Sequence, residues 1–430
     1  MNRRQFLNYS VGAAAGVGLG GMLKAAGQSL KTVRIGVIGT GGRGIGMLKG
    51  LLHNEGVKVP AVCDIRESAA ELAVKVVQKR IGTTPEKYTR GEYDYRRLLE
   101  RDDIDAVMIC TPINWHAGMA IDAMKAGKDA ASEVVLSPYN DKNWEVVRTK
   151  ERTGRHFMML ENYCYMRNNM MIYKMSRQGL FGRVYYGECA YIHNCKSLRF
   201  TGDGKLTWRG ELNRDTYGNA YPTHALGPIA KCFGLNDGDR ITECVTMGTR
   251  GEVLKEYAAE KFGKDSEAAQ IDYKMNEMTT CLLKLASGGM ISLFYDSNSC
   301  GPADCFYLVQ GSKARYNSRY NGIAVGEVHH WSKMDEYRDK YEHPYWARDG
   351  KKAQASGHGG GDFFVLRDFV EMVRQGREPW IDVYDAASWS SICQCSRESL
   401  DLGSRAVEVP DFTSGRWKDK NWRSGNMKPA

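Results

Sequence analysis

Three side chains near the middle of the chain have the chemistry of proton transfer: Tyr191, His193 and His224. Tyr191 and His193 are alternate residues of a strand-like run, so their side chains should share one face. His224 ends a Tyr-Pro-Thr-His turn, and histidine exchanges protons near neutral pH. Arg209 offers a planar fork of donors for hydroxyl or acyl oxygens. The residues alone leave another interpretation open, in which the strand pair faces the core and His224 caps a helix.

A second set of residues has the spacing of a dinucleotide-binding loop. The run Gly39-Thr40-Gly41-Gly42-Arg43-Gly44 fits GxGxxG, follows the strand-like VRIGVIG and leads into a helix predicted to begin near Gly44; Asp64 lies 20 residues further on. In such a constellation the glycines admit a pyrophosphate at the helix N-terminus, and the acid binds ribose hydroxyls. Asp64 would repel a 2′-phosphate, so NAD is the predicted cofactor, although Arg43 and Arg66 leave NADP open. A tight turn beside a strand-end aspartate is the alternative without a ligand.

The order of apolar runs predicts two domains. Over residues 33–159 short apolar runs alternate with helical stretches, which predicts a doubly wound parallel sheet of the Rossmann type. After residue 161 longer runs such as GRVYYGECAYIH and MTTCLLKLASGGMISLFYD predict a large, mainly antiparallel open sheet. Two later helical stretches, DFFVLRDFVEMVRQG and VYDAASWSSICQCSRESLDLG, should return the chain to the first domain. The predicted fold class is α/β, with a Rossmann domain over 31–160 and a substrate-binding α+β domain over 161–430.

The beginning of the chain has the pattern of an export signal. Arg3-Arg4 precedes a Gly- and Ala-rich apolar run over residues 11–23 that is too short to span a bilayer as a helix. A twin arginine before such a run is typical of the twin-arginine (Tat) route. Residues 1–30 are therefore predicted to direct a folded protein to the periplasm or beyond. Cleavage near Ala25-Ala26-Gly27, an uncleaved membrane tether and a disordered basic N-terminus all stay open.

Composition argues against several other classes of protein. The formal net charge of +9 comes from scattered lysines and arginines, without a basic run interleaved with aromatics, so no nucleic-acid partner is expected. Beyond Gly27 no segment is apolar enough to span a membrane. The 12 cysteines form no CxxC pair and are expected as buried thiols, and neither His329-His330 nor His358 has metal-ligand spacing. An open sheet face often packs on a second copy, which makes a homodimer a candidate assembly.

The stretch CTPINWHAGMAIDAMKAGKDAASE resembles the Gfo/Idh/MocA oxidoreductases. Those proteins have a Thr-Pro pair after a strand, a histidine, an Ala-Gly-Lys turn and a glutamate. Here these are Thr111-Pro112, His116, residues 126–128 and Glu133. Typical members continue with a lysine that serves as the acid-base group of sugar oxidation. In this chain Val134 follows the glutamate, so the usual proton-transfer group is missing.

Five further runs make the chain similar to glycosyl hydrolase family 109, the NAD-dependent branch known for N-acetylgalactosaminidase activity: ENYCYMR, GECAYIH, NAYPTHALGP, SGHGGGDFF and VPDFTSGRWK. The resemblance extends over nearly the whole length after the signal. It implies a cofactor site that includes the glycine loop: Gly39, Gly41, Gly42, Arg43, Gly44, Asp64, Asn114, Trp115, His116, Glu133, Val134 and Asn162. It also implies a sugar site, formed by Tyr191, His193, Arg209, Tyr221 and His224.

The chain departs from this family at two positions. Ile113 stands where the WxWH motif of the family has its first tryptophan. Ala303 stands where the family has a tyrosine after a proline, in a loop that leads into a strand. That tyrosine contributes to the family's sugar site, so the second departure marks a change there.

The resemblance implies a glycosidase that does not depend on two carboxylates flanking the scissile bond. The chain has no convincing pair, since its acidic candidates are scattered: Asp296, Asp304 and Glu211. Oxidation of a sugar's C3 hydroxyl by NAD makes the C2 proton acidic; its removal expels the C1 substituent, water adds, and the hydride returns. His224 would take the C3 hydroxyl proton, while Tyr191 and His193 would serve C2 and the leaving oxygen.

This redox-neutral cycle suits an exported protein, because one NAD bound before export serves repeatedly. The predicted function is an exported glycoside hydrolase that acts on an N-acetylated hexosaminide with NAD kept bound. One alternative is a Gfo/Idh/MocA sugar oxidoreductase that forms 3-keto sugars or transfers hydride between sugars, and Ala303 favours it. Another is a sugar-binding or sensing protein that keeps NAD structurally; the retained Tyr191 and His224 argue against this one.

Overall fold

The computed structural model describes residues 29–419 and 421–429, and its first part is built on a parallel sheet. Most of its strands are short runs that are buried on both faces, as parallel strands between helices are. The strands are β1 (Val33–Ile38), β2 (Val57–Lys58), β3 (Ala61–Cys63), β4 (Glu86–Tyr88), β5 (Ala106–Ile109), β6 (Asp129–Ser132) and β7 (Phe157–Met159). They lie in the order β4-β3-β1-β5-β6-β7, and β2 pairs with the start of β1.

Helices connect these strands and cover the sheet. They are α1 (Gly42–Leu51), α2 (Glu67–Ile81), α3 (Tyr95–Leu99), α4 (Ile113–Lys125) and α5 (Asn140–Thr153). The spacing of apolar residues explains how they pack: α2 buries Ala70, Ala73 and Val77, which recur on one face of a helix. Since every strand runs in the same direction, the loops that follow β1, β3, β5 and β6 meet at one edge of the sheet.

A second, larger sheet follows. Its strands are β8 (Val184–Ile192), β9 (Ile241–Gly248), β10 (Thr279–Leu285), β11 (Met290–Asp296), β12 (Tyr307–Gly311), β13 (Ala314–Asn317), β14 (Gly322–Val325), β15 (Ser332–Lys333) and β16 (Val407–Glu408). Their order is β15-β14-β13-β12-β8-β11-β10-β9-β16, and neighbours are antiparallel except for β8 beside β11. One face of this sheet is covered by α-helices.

The remaining helices are α6 (Arg167–Arg177), α7 (Trp208–Asp215), α8 (Thr223–Phe233), α9 (Val253–Phe262), α10 (Glu267–Gln270), α11 (Arg338–Tyr341), α12 (Pro344–Ala353), α13 (Gly361–Gln375), α14 (Val383–Ser390) and α15 (Ile392–Asp401). Helix α8 packs on β8, and α15 packs on β9. Helices α13 and α14 contact α1 and α5 of the first domain. The C-terminal helices therefore hold the two sheets together.

The predicted fold class is confirmed, with a parallel Rossmann-type sheet followed by a mainly antiparallel one. Helix α1 begins at Gly42, two residues before the predicted start. The sequence did not predict some of the shortest elements, such as α10, because four residues carry too little periodicity. The first sheet ends at Met159 and the second begins at Val184, on either side of the predicted domain boundary.

The sequence also led to expectations about export, membrane spans and the state of the cysteines. Of the predicted export signal, residues 1–28 lie outside the described residues. Within residues 29–419 and 421–429, no helix is both long and apolar enough to cross a membrane. The cysteines are free, and among them Cys300 is exposed while Cys110 and Cys305 are half-buried. Burial raises the pKa of Cys63 to about 12, which keeps this thiol protonated and inert.

Candidate active site

A cavity of about 700 Å³ opens where the first sheet ends and the second begins. One end is formed by the loops after β1, β3, β5 and β6, which is where open α/β sheets bind their ligands. The other end is formed by β8, β11, α7 and the start of α8. We call these the loop end and the strand end. Together they provide space for a dinucleotide and a small second ligand.

The glycine loop at the loop end has the shape of a phosphate cradle. Gly39 has a φ of +85°, and a Cβ there would lie 2.7 Å from the backbone of Cys110. A Cβ on Gly44 would lie only 1.9 Å from the carbonyl oxygen of Gly39, so this glycine lets the helix start beneath the loop. Gly42 faces open space. The N-terminus of α1 thus presents free amide groups to the cavity, and the residues fit a bound pyrophosphate.

Asp64, at the end of β3, is the acid of the loop end. One carboxylate oxygen accepts a hydrogen bond from the amide of Thr40 at 2.8 Å, and the other accepts from the amide of Arg66 at 2.9 Å. The side chain of Asp64 is almost buried and still lines the cavity. Its carboxylate is therefore held in place where a ribose would extend from the glycine loop.

Arg43 joins the glycine loop to the C-terminal helices. Its guanidinium donates to both carboxylate oxygens of Asp362, at 2.8 and 2.9 Å, and its Nε donates to Glu133 at 2.7 Å. Asn162 also donates to Asp362, at 2.6 Å, and His358 lies 3.0 Å from it. These donors hold the pKa of Asp362 well below its usual range despite burial. The cation of the loop is thus neutralised inside the protein by two carboxylates.

His224, in the first turn of α8, is oriented by a buried carboxylate. Its Nδ1 lies 2.7 Å from an oxygen of Glu161, a residue with no exposed surface. The ring of Tyr163 stacks on the imidazole at 4.2 Å, and the hydroxyl of Tyr307 donates to the backbone carbonyl of His224 at 2.7 Å. The Nε2 has no hydrogen-bond partner among the described residues, and His224 lines the cavity. With Nδ1–H donated to the carboxylate, Nε2 is free to accept a proton from a ligand.

An aromatic wall continues the strand end from His224. Tyr191 on β8 lies 5.3 Å from the ring of Tyr221 and 5.5 Å from that of His224. Burial raises the pKa of Tyr191 well above its usual value. The phenol therefore stays protonated at neutral pH and can donate a hydrogen bond or a proton. The influences that act most strongly on this pKa are burial, phenols and thiols, all of which raise it, so Tyr191 has the properties of a donor and not of a base.

Two arginines complete the strand end. The guanidinium of Arg209 lies 4.2 Å over the ring of Trp208. Arg199 is 5% exposed and donates to the hydroxyl of Ser297 at 2.7 Å. Both arginines line the cavity, and among the described residues neither has a carboxylate oxygen within 4 Å. The strand end therefore combines a proton acceptor, phenols and two cations.

The structure brings most of the predicted site residues to this cavity. At the loop end these are Gly39, Gly41, Gly42, Arg43, Asp64, Trp115, His116, Glu133 and Val134, and at the strand end Tyr191, Arg209, Tyr221 and His224. His116 is buried, and its ring nitrogens lie 2.7 and 2.8 Å from the carbonyls of Val135 and Thr111. These two contacts hold the imidazole in the cavity wall and fix the loop that leads into α4.

Four predicted residues do not line the cavity. Gly44 packs beneath Gly39, as described above, and Asn114 is exposed on the first turn of α4. Asn162 lies behind Asp362, where it acts on Arg43 only through that carboxylate. His193 stacks on Tyr191 at 5.7 Å, as alternate residues of one strand should, but its Nδ1 faces the thiol of Cys195 at 3.3 Å.

Sequence reasoning missed Glu161, Arg199 and Asp362 as site residues. Glu161 and Asp362 belong to the quoted runs ENYCYMR and SGHGGGDFF, and that was the available signal. Arg199 ends a short 3₁₀ helix (Lys196–Arg199) and belongs to no motif. His358, considered in the sequence as a metal ligand, also lines the cavity. Of the two departures, Ile113 lines the cavity, whereas Ala303 is exposed and does not.

The chain offers no place for a metal at this site: among the described residues no group of three His, Cys, Asp or Glu side chains could hold one. The acids that line the cavity are Asp64, Glu92 and Glu133, all at the loop end. Asp296, Asp304 and Glu211 do not line it. No pair of carboxylates therefore faces a common space at the strand end.

Comparison with known protein families gives two matches that divide the chain. Residues 33–158 match the oxidoreductase family with an NAD-binding Rossmann fold (GFO_IDH_MocA), and residues 165–419 match the glycosyl hydrolase 109 C-terminal domain. Both halves of the resemblance stated from the motifs are confirmed. The boundary between the matches falls within the segment that links the two sheets.

Similar proteins cover almost the whole chain. An alpha-N-acetylgalactosaminidase from Shewanella oneidensis is 38% identical over 398 residues, which cover 90% of this chain and 87% of that protein. Glycosyl hydrolase family 109 protein 1 from Shewanella sp. strain ANA-3 is 39% identical over the same shares. Among solved structures, levoglucosan dehydrogenase in complex with NADH and L-sorbose has a TM-score of 0.71 at 16% identity, covering 89% of this chain and 100% of that one. Scyllo-inositol dehydrogenase from Lactobacillus casei has a TM-score of 0.63 at 15% identity, covering 88% and 99%. At such identities the structures show the fold alone.

Proposed function

This chain belongs to glycosyl hydrolase family 109, and we propose that it hydrolyses N-acetylated hexosaminides such as N-acetylgalactosaminides with an NAD that stays bound. One observation carries the proposal: the glycine loop with Asp64 and the unpartnered Nε2 of His224 face the same cavity. A dinucleotide site and a proton acceptor that share one space suit a reaction in which a sugar carbon is oxidised. The name of the Shewanella oneidensis relative supports the substrate class.

Direct displacement by carboxylates does not fit the strand end. A conventional glycosidase places two carboxyl groups about 5–10 Å apart across the scissile bond. Glu161, the acid nearest to His224, has no exposed surface and accepts from that histidine and from the amide of Tyr163. Glu133 is bound by Arg43. The substrate therefore has to be activated by the cofactor instead of by a pair of carboxylates.

When bound, NAD would supply reversible oxidation of the sugar at C3, which makes the C2 proton acidic and lets the C1 substituent leave. The residues of the chain provide the proton transfers around that chemistry. His224 accepts the proton of the C3 hydroxyl at Nε2, while Glu161 stabilises the imidazolium that results. Tyr191, protonated because it is buried, donates its proton to the leaving oxygen, and the proton released from C2 in the same elimination restores the phenol. His193 does not line the cavity, and its ring stacks on that of Tyr191 and so helps to position the phenol.

The cofactor is proposed to be NAD rather than NADP. The carboxylate of Asp64 is fixed by two backbone amides and faces the position of the adenosine ribose, where a 2′-phosphate would be repelled. Denaturing the purified protein and identifying the released dinucleotide by mass spectrometry tests this. NADP in the supernatant, or no dinucleotide at all, would contradict it.

Product analysis in heavy water tests the proposed reaction. The purified protein is incubated with aryl N-acetyl-α- and β-galactosaminides, and the released sugar is followed by NMR and mass spectrometry. Deuterium at C2 without net NADH is the expected result, because the C2 proton is exchanged and the hydride returns. A 3-keto sugar with the glycosidic bond intact would make the protein an oxidoreductase instead.

Export by the Tat route is part of the proposal. The support is Arg3-Arg4 before the apolar run over residues 11–23, together with a redox-neutral cycle that needs no fresh NAD. Fractionation of the native host, with immunoblots of periplasm and cytoplasm, tests it. Replacing both arginines by lysine should leave the protein in the cytoplasm, and unchanged export of that variant would contradict the Tat route.

A homodimer through the open face of the second sheet is also proposed. On that face Met247, Leu282 and Met290, which lie on three adjacent strands, are 68%, 41% and 40% exposed. Contiguous apolar side chains on one sheet face are typical of a protein interface. Light scattering should give twice the mass of one chain, and Leu282→Lys should shift it towards the monomer. A wild-type monomer at micromolar concentration would contradict this assembly.

A further inference from the structure

Within residues 29–419 and 421–429, no acid forms an ion pair with either of the two arginines at the strand end. Arg199 and Arg209 both line the cavity, and the acids that line it, Asp64, Glu92 and Glu133, belong to the loop end. From this arrangement we infer that the strand end binds hexosaminides that carry an acidic group, a sulfate ester or a carboxylate, on the sugar or on its aglycone. The inference rests on the proposed glycosidase function and specifies its substrate class.

Arg199 gives the stronger support for an anion site because it is 95% buried. Its Nη2 donates to the hydroxyl of Ser297 at 2.7 Å, and its Nε has no hydrogen-bond partner. A buried guanidinium without a counterion costs free energy, so such groups are paired in folded proteins unless a ligand supplies the charge. Arg423 shows the usual solution in this chain, since it is equally buried and binds both Asp382 and Asp385.

Arg209 adds a second cation to the same space. Burial lowers the pKa of Arg209, and the nearby charge of Arg199 lowers it further. The groups that favour its charged form are phenols and a thiol, not carboxylates. A guanidinium whose charged form is disfavoured by burial and by a neighbouring cation is expected to bind an oxyanion, because the guanidinium fork matches the oxygens of such a group.

The remaining charges nearby are already satisfied. Lys196 donates to the carbonyls of Asn298 and Ser299 at 3.3 Å, and its charge acts on Asp296. Neither Lys196 nor Asp296 lines the cavity. The pyrophosphate of a dinucleotide belongs at the glycine loop, where Arg43 is bound by Glu133 and Asp362. The anion that would pair with Arg199 and Arg209 is therefore expected to be a group of the substrate and not the pyrophosphate.

The first test uses the wild-type protein with matched substrates. 4-Nitrophenyl N-acetylgalactosaminide is compared with its 4-O-sulfo and 6-O-sulfo derivatives, and disaccharides with a uronic acid aglycone are compared with their neutral counterparts. At least one acidic member should have a kcat/KM about tenfold or more above its neutral partner, mainly through KM. This advantage should shrink as salt is raised. The sulfated and carboxylated arms identify which oxyanion is preferred, and equal or lower kcat/KM for every acidic member would overturn the inference.

The second test removes one cation and measures binding without turnover. Arg199→Met should reduce the preference for the acidic substrate about tenfold, whereas Arg250→Met, at an exposed position outside the cavity, should leave it intact. Calorimetry with free N-acetylgalactosamine 6-sulfate and the neutral sugar gives the same comparison for binding alone. If Arg199→Met does not fold, the wild-type comparisons still decide the matter.

The two proposals fail in different ways. If no glycoside is cleaved but the sulfated sugar binds more tightly than the neutral one, the glycosidase function is wrong and the anion site stands. If neutral glycosides are cleaved and acidic groups bring no advantage in either kcat/KM or binding, the anion site is wrong and the glycosidase function stands.

Discussion

The two ends of the cavity treat charge in opposite ways. At the loop end, Arg43 is bound by Glu133 and Asp362, and Asp64 accepts from two backbone amides. At the strand end, the part of the chain that the structure describes supplies no carboxylate partner to Arg199 or Arg209 and no hydrogen-bond partner to the Nε2 of His224. The charged side chains of the loop end are paired without a ligand, whereas those of the strand end would be paired only with one.

This difference fits a protein that keeps one ligand and exchanges another. A site whose groups are already oriented by the fold loses little entropy when its ligand binds, and so it can hold that ligand tightly. A site that leaves charges unpaired gains most from a ligand with the matching charge and discriminates against ligands without it. The loop end has the properties of a cofactor site, and the strand end those of a substrate site.

Removing the proton acceptor should lower activity more than any other substitution and should change only the strand end. His224→Ala is expected to lower kcat about 10³-fold, because general base catalysis typically contributes two to four orders of magnitude. The amount of dinucleotide that copurifies, measured by absorbance after denaturation, should not change. His53→Ala, an exposed histidine on the first domain, is the control. Loss of the dinucleotide together with activity would mean that the two ends are not independent.

Glu161→Gln tests whether the buried carboxylate acts through His224. The side chain keeps its shape but loses the charge that stabilises the imidazolium, so kcat should fall about 10- to 100-fold. The acid limb of the kcat profile should move to lower pH, whereas KM should change little. A carboxylate with a purely structural role would lower the melting temperature and leave the shape of the pH profile as it is.

Two alanine substitutions in one helix test the loop end. Gly42 and Gly46 both have open space where a Cβ would lie, but only Gly42 faces the cavity. Gly42→Ala should reduce the bound dinucleotide about tenfold by crowding the pyrophosphate, without loss of melting temperature. Gly46→Ala should leave the dinucleotide unchanged and raise stability by up to about 1 kcal/mol. Equal dinucleotide content in the two variants would contradict the proposal that the glycine loop binds the pyrophosphate.

His343 allows acid effects on the fold to be separated from those on the cavity. It is buried, accepts from the amide of Tyr345 and donates to the carbonyl of Pro429, and burial lowers its pKa from 6.5 to about 4. Because the folded-state pKa is depressed, its contribution to stability is present above pH 6.5 and is lost as the pH falls towards 4.

This group should account for up to about 3 kcal/mol of the unfolding free energy that the protein loses between pH 6.5 and 4. Urea titrations across this range should show a shallower pH dependence for His343→Gln than for the wild type. If both lose stability in parallel, other groups cause the acid sensitivity. Activity that falls at a pH where the variant is still folded can then be assigned to the strand end.

The sequence predicted what is local. The glycine loop, the strand before it and Asp64 lie within a short stretch, and each residue type is required by backbone geometry or by the ligand, so the loop end could be located without a structure. The two sheets were predicted from periodicity, and the family from long runs of matching residues. Tyr191, Arg209 and His224 depended on the resemblance, because their types and spacing alone also suit a core strand, a surface charge and a helix cap.

What the sequence could not predict are the partners across space. Glu161 and His224 are 63 residues apart, and nothing in ENYCYMR indicates which side chain its glutamate will meet. His193 was predicted beside Tyr191 and does stack on it, but the turn that follows β8 directs its Nδ1 to Cys195 instead of the cavity. Whether Arg199 is paired or unpaired likewise depends on which acids other segments bring near it.

The ion pair between Arg43 of the glycine loop and Asp362 forms late in the synthesis of the protein. Arg43 and Asp362 are 319 residues apart, so a ribosome has synthesised most of the chain before the loop acquires this partner. The nascent first domain would present the loop with a free guanidinium, and only the finished polypeptide fixes its direction. The direction of the Arg43 side chain at the glycine loop is therefore fixed only when α13, one of the last helices to be synthesised, has packed on the first domain.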